Sequence, residues 1–457
     1  MGKDSSKIEI KIAFIGGGSR YWARELVGDL ALCPHICGEL ALYDLNYQAA
    51  ANNVKVADEI FSRPLAKTKF SVTVAKKPED ALKGADFVVC SIEPGPTQMR
   101  YADLEIPAKY GIIQPVGDST GPGGIVRALR SIPIKMHYAR LVMKYCPKAW
   151  IINYTNPMTL CTAAFYAAEP KIKAFGCCHE VFGTQRFLVE KVREWFGAED
   201  VKRQDIILDI AGVNHFTFAT SATWNGKDLF KNLSKLVSES KTFEDHTRKS
   251  RERVRKGLWF ASDGLVALDY FRRFGALGAA GDRHLAEFVP WYLSSEKELH
   301  RWGVLCTPFS WRIGRDERLK NAKYDLSVLN ASGEEGVQQM LALLGVGKLD
   351  TNVNLPNRGQ ISDLPAGAVV ETYAQFRRDS IIPVVAKPLP PGLAEAVRRI
   401  ASVQQMTLKA SMESDIDLAF HALLNDPLAR IPTDKAWKMF NEMLEYTKDF
   451  LPNFQSR

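Results

Sequence analysis

What this chain lacks narrows its class first. It contains no run of roughly 18 apolar residues, so no membrane-spanning helix is expected. The leader Met1-Gly2-Lys3-Asp4-Ser5-Ser6 has none of the apolar core of a secretory signal. Gly2 and Ser6 do fit the loose myristoylation pattern, although a short polar lead-in to a first strand explains them equally well. Cysteines number 8 and are irregularly spaced. With no export signal they read as reduced, buried thiols of a cytoplasmic protein. Cys33 and Cys37 lack a second Cys/His pair, which argues against structural zinc. The net charge is +8, but the basic residues are scattered without an aromatic-interleaved stripe. Nucleic acid is therefore disfavoured, while a mild positive field suits an anionic small molecule. Internal repeats, low-complexity segments and long charge runs are also missing.

What is present is the material of a large α/β protein. A length of 457 residues with 46% hydrophobic content is enough for two well-filled cores. Lys7–Ile15 reads as a buried strand, followed by Gly16-Gly17-Gly18-Ser19 and a helical pattern to Leu32. Leu40–Asp44 is the next strand, closing on an acid. Such glycines let backbone approach a pyrophosphate at a helix start, and the acid accepts from ribose hydroxyls. Gly16, Gly17, Gly18, Ser19 and Asp44 are thus the expected cofactor-binding residues. Tyr21 stands where the usual third glycine would be, which puts tight helix–strand packing in question.

The alternation continues with strands over 85–92, 150–153 and 172–177 and an amphipathic helix over 125–145. This predicts a mostly parallel sheet with helices on both faces. Ligands of such sheets lie beyond the carboxyl ends of the strands. Asp44, Glu93, Asn156 and Cys178 all fall there, and Glu93 joins the expected cofactor site. Residues 1–200 are read as a Rossmann-type dinucleotide-binding domain and 201–457 as a mixed, largely helical domain. The whole suggests a lactate/malate dehydrogenase-like arrangement. In the second part, strands are expected over 205–211 and 216–224. Helices are expected over 245–275, 283–298, 332–345, 391–424 and 433–449.

Three stretches could carry chemistry. Gly117–Gly124 is rich in glycine and proline around Asp118, a composition that prevents regular structure and lets backbone close around a ligand. A surface loop is the plainer alternative. Phe175–Glu180 runs from an apolar strand into Cys178-His179-Glu180, and Gly212–His215 adds an Asn-His pair. Cys and His are ligands of transition metals. A lone Cys is by default a small core hydrophobe, and a His between apolar strands a satisfied core residue. Of the other histidines, only His284 is placed near the crevice.

Taken in order, these stretches resemble glycoside hydrolase family 4, the nicotinamide- and metal-dependent glycosidases. The resemblance rests on Ile15–Ser19, Gly117–Gly124, Asn156-Pro157-Met158-Thr159, Cys178-His179-Glu180-Val181 and Gly212–His215. Asn354–Gly359 and Asp426-Pro427-Leu428 extend it over nearly the whole chain. It implies NAD and Mn²⁺ as cofactors, Cys178 and His215 as metal ligands, and Asn156 as a substrate-holding residue. Asp118 and His179 match positions close to the sugar. The tetrapeptide at 178–181 is similar to that of the α-galacturonidase branch, and branches for neutral α-glycosides typically carry Ser in place of Glu180.

The resemblance also implies a chemistry outside the usual pair of carboxylates. The sugar is transiently oxidised at C3 by NAD⁺, loses its C2 proton to a side-chain base, and expels the C1 substituent by elimination. Tyr270 or Asp269 is the expected base, since some members use a Tyr of the second domain. His179 or Asp118 would protonate the leaving group. A galacturonide adds a C6 carboxylate, for which Arg100 and Arg283 are the candidate planar partners. The expected partner is thus a small carbohydrate, a uronic-acid glycoside above all, handled by a homodimer or homotetramer. A neutral α-galactosidase, α-glucosidase or α-glucuronidase of the same family is the nearest alternative. A plain NAD-dependent dehydrogenase or a non-catalytic nucleotide sensor would come from another class. Replacing Glu180 by Ser should move preference from α-galacturonide toward α-galactoside on a panel of nitrophenyl glycosides. Unchanged galacturonide hydrolysis would refute a role for that residue in selectivity.

Overall fold

A computed structural model describes residues 7–321, 329–451 and 454. Gly2 and Ser6 lie outside them. The apolar runs of the sequence become strands of one sheet: β1 (Ile8–Ile15), β2 (Ile36–Tyr43), β3 (Phe70–Val74), β4 (Phe87–Cys90), β5 (Trp150–Asn153) and β6 (Lys173–Gly176). These are parallel and ordered β3-β2-β1-β4-β5-β6. That order is the doubly wound one, and it reverses between β1 and β4, where such sheets open a crevice.

The sheet does not stop there. It continues through β7 (Ile206–Val213), β8 (Phe216–Trp224), β9 (Lys227–Asp228), β10 (Leu277–Gly278), β11 (Leu349–Pro356), β12 (Val369–Arg377) and β13 (Ser380–Pro383). These strands pair antiparallel, in the order β6-β11-β12-β7-β8-β10, with β13 on β12 and β9 on β8. Two joints are narrow. β6 meets β11 at Gly176↔Asn354, and β12 meets β7 at Glu371↔Gly212. Gly176 has to be glycine, because a Cβ there would lie 2.6 Å from the Met158 sulfur and 2.9 Å from Asn354 Cβ.

For the second part the sequence predicts one hairpin followed by helices; the structure adds β9, β10, β11, β12 and β13. In strand β11 the apolar Val353 and Leu355 alternate with Asn352 and Asn354, but the polar residues are buried as well, so no solvent face marks it as a strand. The long helical patterns also divide. Residues 245–275 form helices Thr247–Arg255 and Leu265–Phe274, separated at Gly264. Residues 391–424 form helices Pro391–Glu413 and Ile416–Asn425, broken at Ser414 (φ 55°) and restarted by Asp415, whose side chain accepts from Leu418 N–H. Residues 283–298 keep only the short helices Asp282–Leu285 and Glu296–Arg301 at their ends.

Apolar burial ties the two parts together. Helix Gly336–Leu343 sends Val337, Met340 and Leu343 into the same cluster as Phe14, Leu42 and Phe175 of the parallel sheet. A larger cluster joins Val126 and Leu129 of helix Gly121–Tyr145 to Val397 and Ile400, and to Met439 and Phe440 of helix Thr433–Thr447. Under this layer lies a buried charge group. Asp103 accepts from Arg100 at 2.9 Å and from Arg130 at 3.0 and 2.9 Å, with all three side chains almost fully enclosed. Two guanidinium groups share one carboxylate. Deleting it would leave both buried without a counter-ion, the costly way to break such a group. Asp103→Ala should lose about 3–5 kcal/mol of stability, read from the urea midpoint. A loss under about 1 kcal/mol would mean the group is solvated after all.

Candidate active site

The glycine turn after β1 is held from below. Gly16 has φ 95°, and a Cβ on it would meet the Ser91 carbonyl oxygen of the neighbouring strand at 1.9 Å. Only glycine fits this approach. Asp44 at the end of β2 accepts from Gly18 N–H at 2.9 Å and Asn46 N–H at 2.8 Å. Ser19 Oγ accepts from Trp22 N–H at 3.1 Å and so opens helix Trp22–Leu32. Asn53, which no sequence pattern singled out, donates to the carbonyls of Gly17 and Ser19 at 2.8 and 2.9 Å. Tyr21 points outward at the helix start, and Ala23, Leu26, Val27 and Leu30 pack inward. The Trp22 ring stacks on Tyr154 at 5.0 Å and lies 6.0 Å from His179, so the turn borders the Cys-His-Glu stretch.

The glycine-rich stretch is a buried clamp and not a surface loop. Glu287 accepts from Val116 and Gly117 N–H, and Arg100 donates to both of their carbonyls. Asp426 accepts from Thr120 Oγ1 at 2.9 Å and Gly121 N–H at 2.8 Å. Regular structure begins inside the stretch, at Gly121, because a proline in the first helical turn sacrifices no hydrogen bond. The clamp presents Asp118. Its Oδ2 accepts from Asn156 Nδ2 at 3.3 Å and its Oδ1 from Ser119 Oγ at 2.7 Å. Ser119 Oγ in turn lies 2.9 Å from His215 Nδ1.

Ligand atoms of Asp118, His215 and His284 all lie within 4.8 Å of one another, a spacing that could hold one cation. The two imidazoles are 4.0 Å apart between centroids. Burial pushes His215 down to about 3, with His284 adding to the shift, so its ring is neutral and free to ligate. Burial works against the charge on Asp118, but His284, His215, Arg100 and Arg127 outweigh it and keep the carboxyl well below the usual range. The Cys178 sulfur takes hydrogen bonds from Glu180 N–H and the Asn214 side chain, one residue from His215. Burial, with Glu371 and Glu180 nearby, raises that thiol well above its ordinary value. A bound cation would be needed to deprotonate it. Around this group the Oδ1 atoms of Asn156 and Asn214 and Nδ1 of His284 are buried and have no partner among the described residues. Buried polar atoms are rarely left so, and the donor set fits an ion with a polar ligand beside it.

Two further residues face the group. Glu180 Oε2 accepts from Gly281 N–H at 2.7 Å, while Oε1 stands 3.9 Å from His284 and 4.0 Å from His179. Burial opposes its ionisation, but His284, His215 and the Gly281 N–H bring it to about 2. His179 Nδ1 is 2.9 Å from Glu334 Oε1, and that hydrogen bond holds the imidazole above its ordinary value against the effect of burial.

Residues 11–194 match the family 4 glycosyl hydrolase model, and residues 210–429 match the model of that family's C-terminal domain. An α-galacturonidase of Thermoanaerobacterium saccharolyticum is 44% identical over 99% of this chain and 98% of its own length. The chain belongs to glycoside hydrolase family 4. The crystal structure of lplD from Bacillus subtilis superimposes with a TM-score of 0.87 at 40% identity, covering 96% of this chain and all of that one. A Thermotoga maritima 6-phospho-β-glucosidase, solved with manganese, NAD⁺ and glucose-6-phosphate, shares the fold at 22% identity (TM-score 0.75, 96% and 99% covered). A metagenomic lactate dehydrogenase from the Medee basin shares it more distantly at 12% identity (TM-score 0.51, 89% and 99% covered). This protein is thus a glycosidase on a dehydrogenase-like fold.

In this family 4 glycosidase several residues singled out by the sequence are committed elsewhere. Arg100 is spent on Asp103 and the clamp carbonyls, so it is not available to a sugar carboxylate. Tyr270 is fully enclosed by Phe216, Phe218, Trp291 and Tyr292. Burial, with Tyr292 and Asp269 beside it, raises its phenol well above the ordinary value, the opposite of what a base needs. Asp269, also buried, accepts from Arg272, Arg273 and Tyr292 Oη. Glu93 pairs with Arg127 through two bonds, and Arg127 Nε also donates to the Asn156 carbonyl at 3.1 Å. Glu93 therefore locks the ends of β4 and β5 together. Arg283 is committed only in part: its Nη2 donates to the Pro115 carbonyl and Thr307 Oγ1, while its Nε has no partner among the described residues. Arg127, Glu287 and Asn53 had no local sequence signal, because each acts on a partner at least 29 residues away.

Glu287 gives this site a pH signature. Burial, with Asp118 adding, pushes its carboxyl up to about 8 although two N–H groups stabilise the anion. An acid raised in the folded state binds its proton more tightly there than in the unfolded chain. Its contribution to stability is therefore lost as pH rises from about 4.3 toward 8. Glu287→Gln should flatten the fall in metal-free stability across that window, by up to about 1.4 kcal/mol per pH unit. Parallel pH profiles of the two proteins would contradict an ionisation at this position.

Proposed function

We propose that this protein is an NAD- and manganese-dependent α-galacturonidase that removes terminal α-D-galacturonic acid from small glycosides. The observation that carries the reading is the Asp118–His215–His284 group, which does not include Cys178 but is faced by Glu180 two residues after it. It stands beside a dinucleotide-type glycine turn in a chain whose relatives include an α-galacturonidase at 44% identity. Gly16–Ser19 and Asp44 would hold NAD, and His215 and Cys178 would hold the ion, with His284 and Asp118 next to it. When bound, the two cofactors supply a hydride acceptor and a Lewis acid for the sugar hydroxyls.

The chain's own residues divide the proton work. Asp118 is ionised through the neutral range and can accept a proton but not give one. It replaces Tyr270 and Asp269 as the candidate base. Asn156 Nδ2 and Ser119 Oγ fix the direction of its two oxygens. His179, charged more readily than an ordinary imidazole because of Glu334, is the candidate proton donor to the leaving oxygen. Glu180 is pinned by Gly281 N–H and keeps one oxygen toward His179 and His284, a position from which it can orient the sugar through a hydroxyl.

The test is a panel of nitrophenyl glycosides with NAD⁺, Mn²⁺ and a thiol reductant. The α-galacturonide should be cleaved fastest, with no net NADH. Accumulating NADH would identify a dehydrogenase. Oxidation of Cys178, or Cys178→Ser, should lower turnover by at least about 100-fold, as loss of a metal ligand exceeds the cost of losing an outer partner. Full activity after that oxidation would remove the thiolate from the site.

A further inference from the structure

We propose that Arg312, acting with Arg283, receives the C6 carboxylate of the sugar and thereby sets the preference for uronides over neutral sugars. The inference rests on the galacturonide reading above. Arg312 lies on helix Phe309–Asn321. That helix is fixed to the start of helix Arg100–Lys109 by a Thr97–Asp316 hydrogen bond of 3.0 Å and by a Tyr101–Phe309 ring contact at 5.6 Å. The Arg312 Nε is buried and has no hydrogen-bond partner among the described residues. Nor does its guanidinium form an ion pair among them. The Arg283 Nε is likewise buried and unpartnered, and this residue adjoins His284 of the ion group.

Each of the two residues is partly open to solvent while its Nε is buried without a partner among the described residues, so both forks keep donor capacity for a planar anion from outside. The neighbouring acids do not supply it. Asp118 is taken up by Asn156, Ser119 and the two histidines. Glu287 already accepts two N–H bonds and holds its own proton up to about 8. Arg100 is saturated by Asp103 and the clamp. Burial, with repulsion from Arg100 and Arg283, brings Arg312 down to about 9, the mark of a cation held among cations. Arg283 meanwhile donates to the Pro115 carbonyl, in the same clamp that presents Asp118. A planar carboxylate on the sugar matches the guanidinium fork, whereas a hydroxymethyl group would offer it no charge.

The test uses the intact protein and two variants, Arg312→Met and Arg312→Lys. For each, kcat/KM is measured on nitrophenyl α-galacturonide and α-galactoside, and the thermal midpoint is read with and without D-galacturonate. In Arg312→Met the galacturonide-to-galactoside ratio should fall about 100-fold, mostly through KM. Arg312→Lys should fall less, since charge is kept and only the planar fork is lost. D-galacturonate should raise the midpoint of the unchanged protein and not that of Arg312→Met. Without ligand, the Arg312→Met midpoint should be equal or higher, because the change removes a buried, unpartnered Nε and no partner. An unchanged ratio, or a ligand-free midpoint well below that of the parent, overturns the proposal. A parent protein that prefers the galactoside overturns the substrate reading itself, and this inference with it. A parent that prefers galacturonide, with the ratio intact in both variants, sinks this inference alone.

Discussion

A carboxylate without a cation holds the two parts of the sheet in register. Glu371 is buried on β12, where that strand touches β7, and it accepts from Asn214, Thr217, Asn352 and Asn354. Burial raises its carboxyl, and the four neutral donors pull it back only in part. Everything it grips leads to the site. Asn214 precedes His215 and bonds the Cys178 sulfur, and Asn352 also donates to the Cys178 carbonyl. The separation of sulfur and imidazole is therefore set by a hub that no ligand need touch. Four donors on one buried carboxylate rigidify what they join, although the Oδ1 atoms of Asn214 and Asn354 have no partner among the described residues.

The electrostatics around the site fall into two zones. On one side a neutral His215, a protonated Cys178 and two ionised acids, Asp118 and Glu180, prepare for a cation. On the other, Arg283 and Arg312 are partly exposed, with Nε atoms that are buried and have no hydrogen-bond partner among the described residues. A substrate with hydroxyls at one edge and a carboxylate at the other is complementary to both zones. Glu287, which accepts from Val116 and Gly117 N–H, has its carboxyl pushed up by burial, and this weakens the charge it can offer the arginines.

Much of this was legible from the chain alone, and the part that was not has a common cause. The parallel half announced itself because β1, β2, β4, β5 and β6 are continuous apolar runs with glycine or acid at their ends. β11 and β12 did not: both alternate, but Asn352, Asn354 and Glu371 are buried for partners as distant as Asn214 and Cys178, which no local pattern shows. The same held at the site. Cys178, His215, Asp118 and Asn156 stand in short recognisable stretches. Arg312, Glu287 and Arg127 act across long sequence distances, so only the folded chain shows what each one meets. Tyr270 and Asp269 looked like a reactive pair on a helix turn. Aromatic packing around one and two arginines beside the other turned them into core.

The Asp426 cap has a consequence for biosynthesis. The segment that presents Asp118 is finished only when the carboxylate at position 426 reaches Thr120 and Gly121. A nascent chain emerging from the ribosome thus completes its parallel strands at Gly176, about 250 residues before the group that seats its reactive acid has been translated. Vectorial synthesis completes the parallel strands first and the segment that seats Asp118 last, so a chain stopped before residue 426 lacks the cap on that segment.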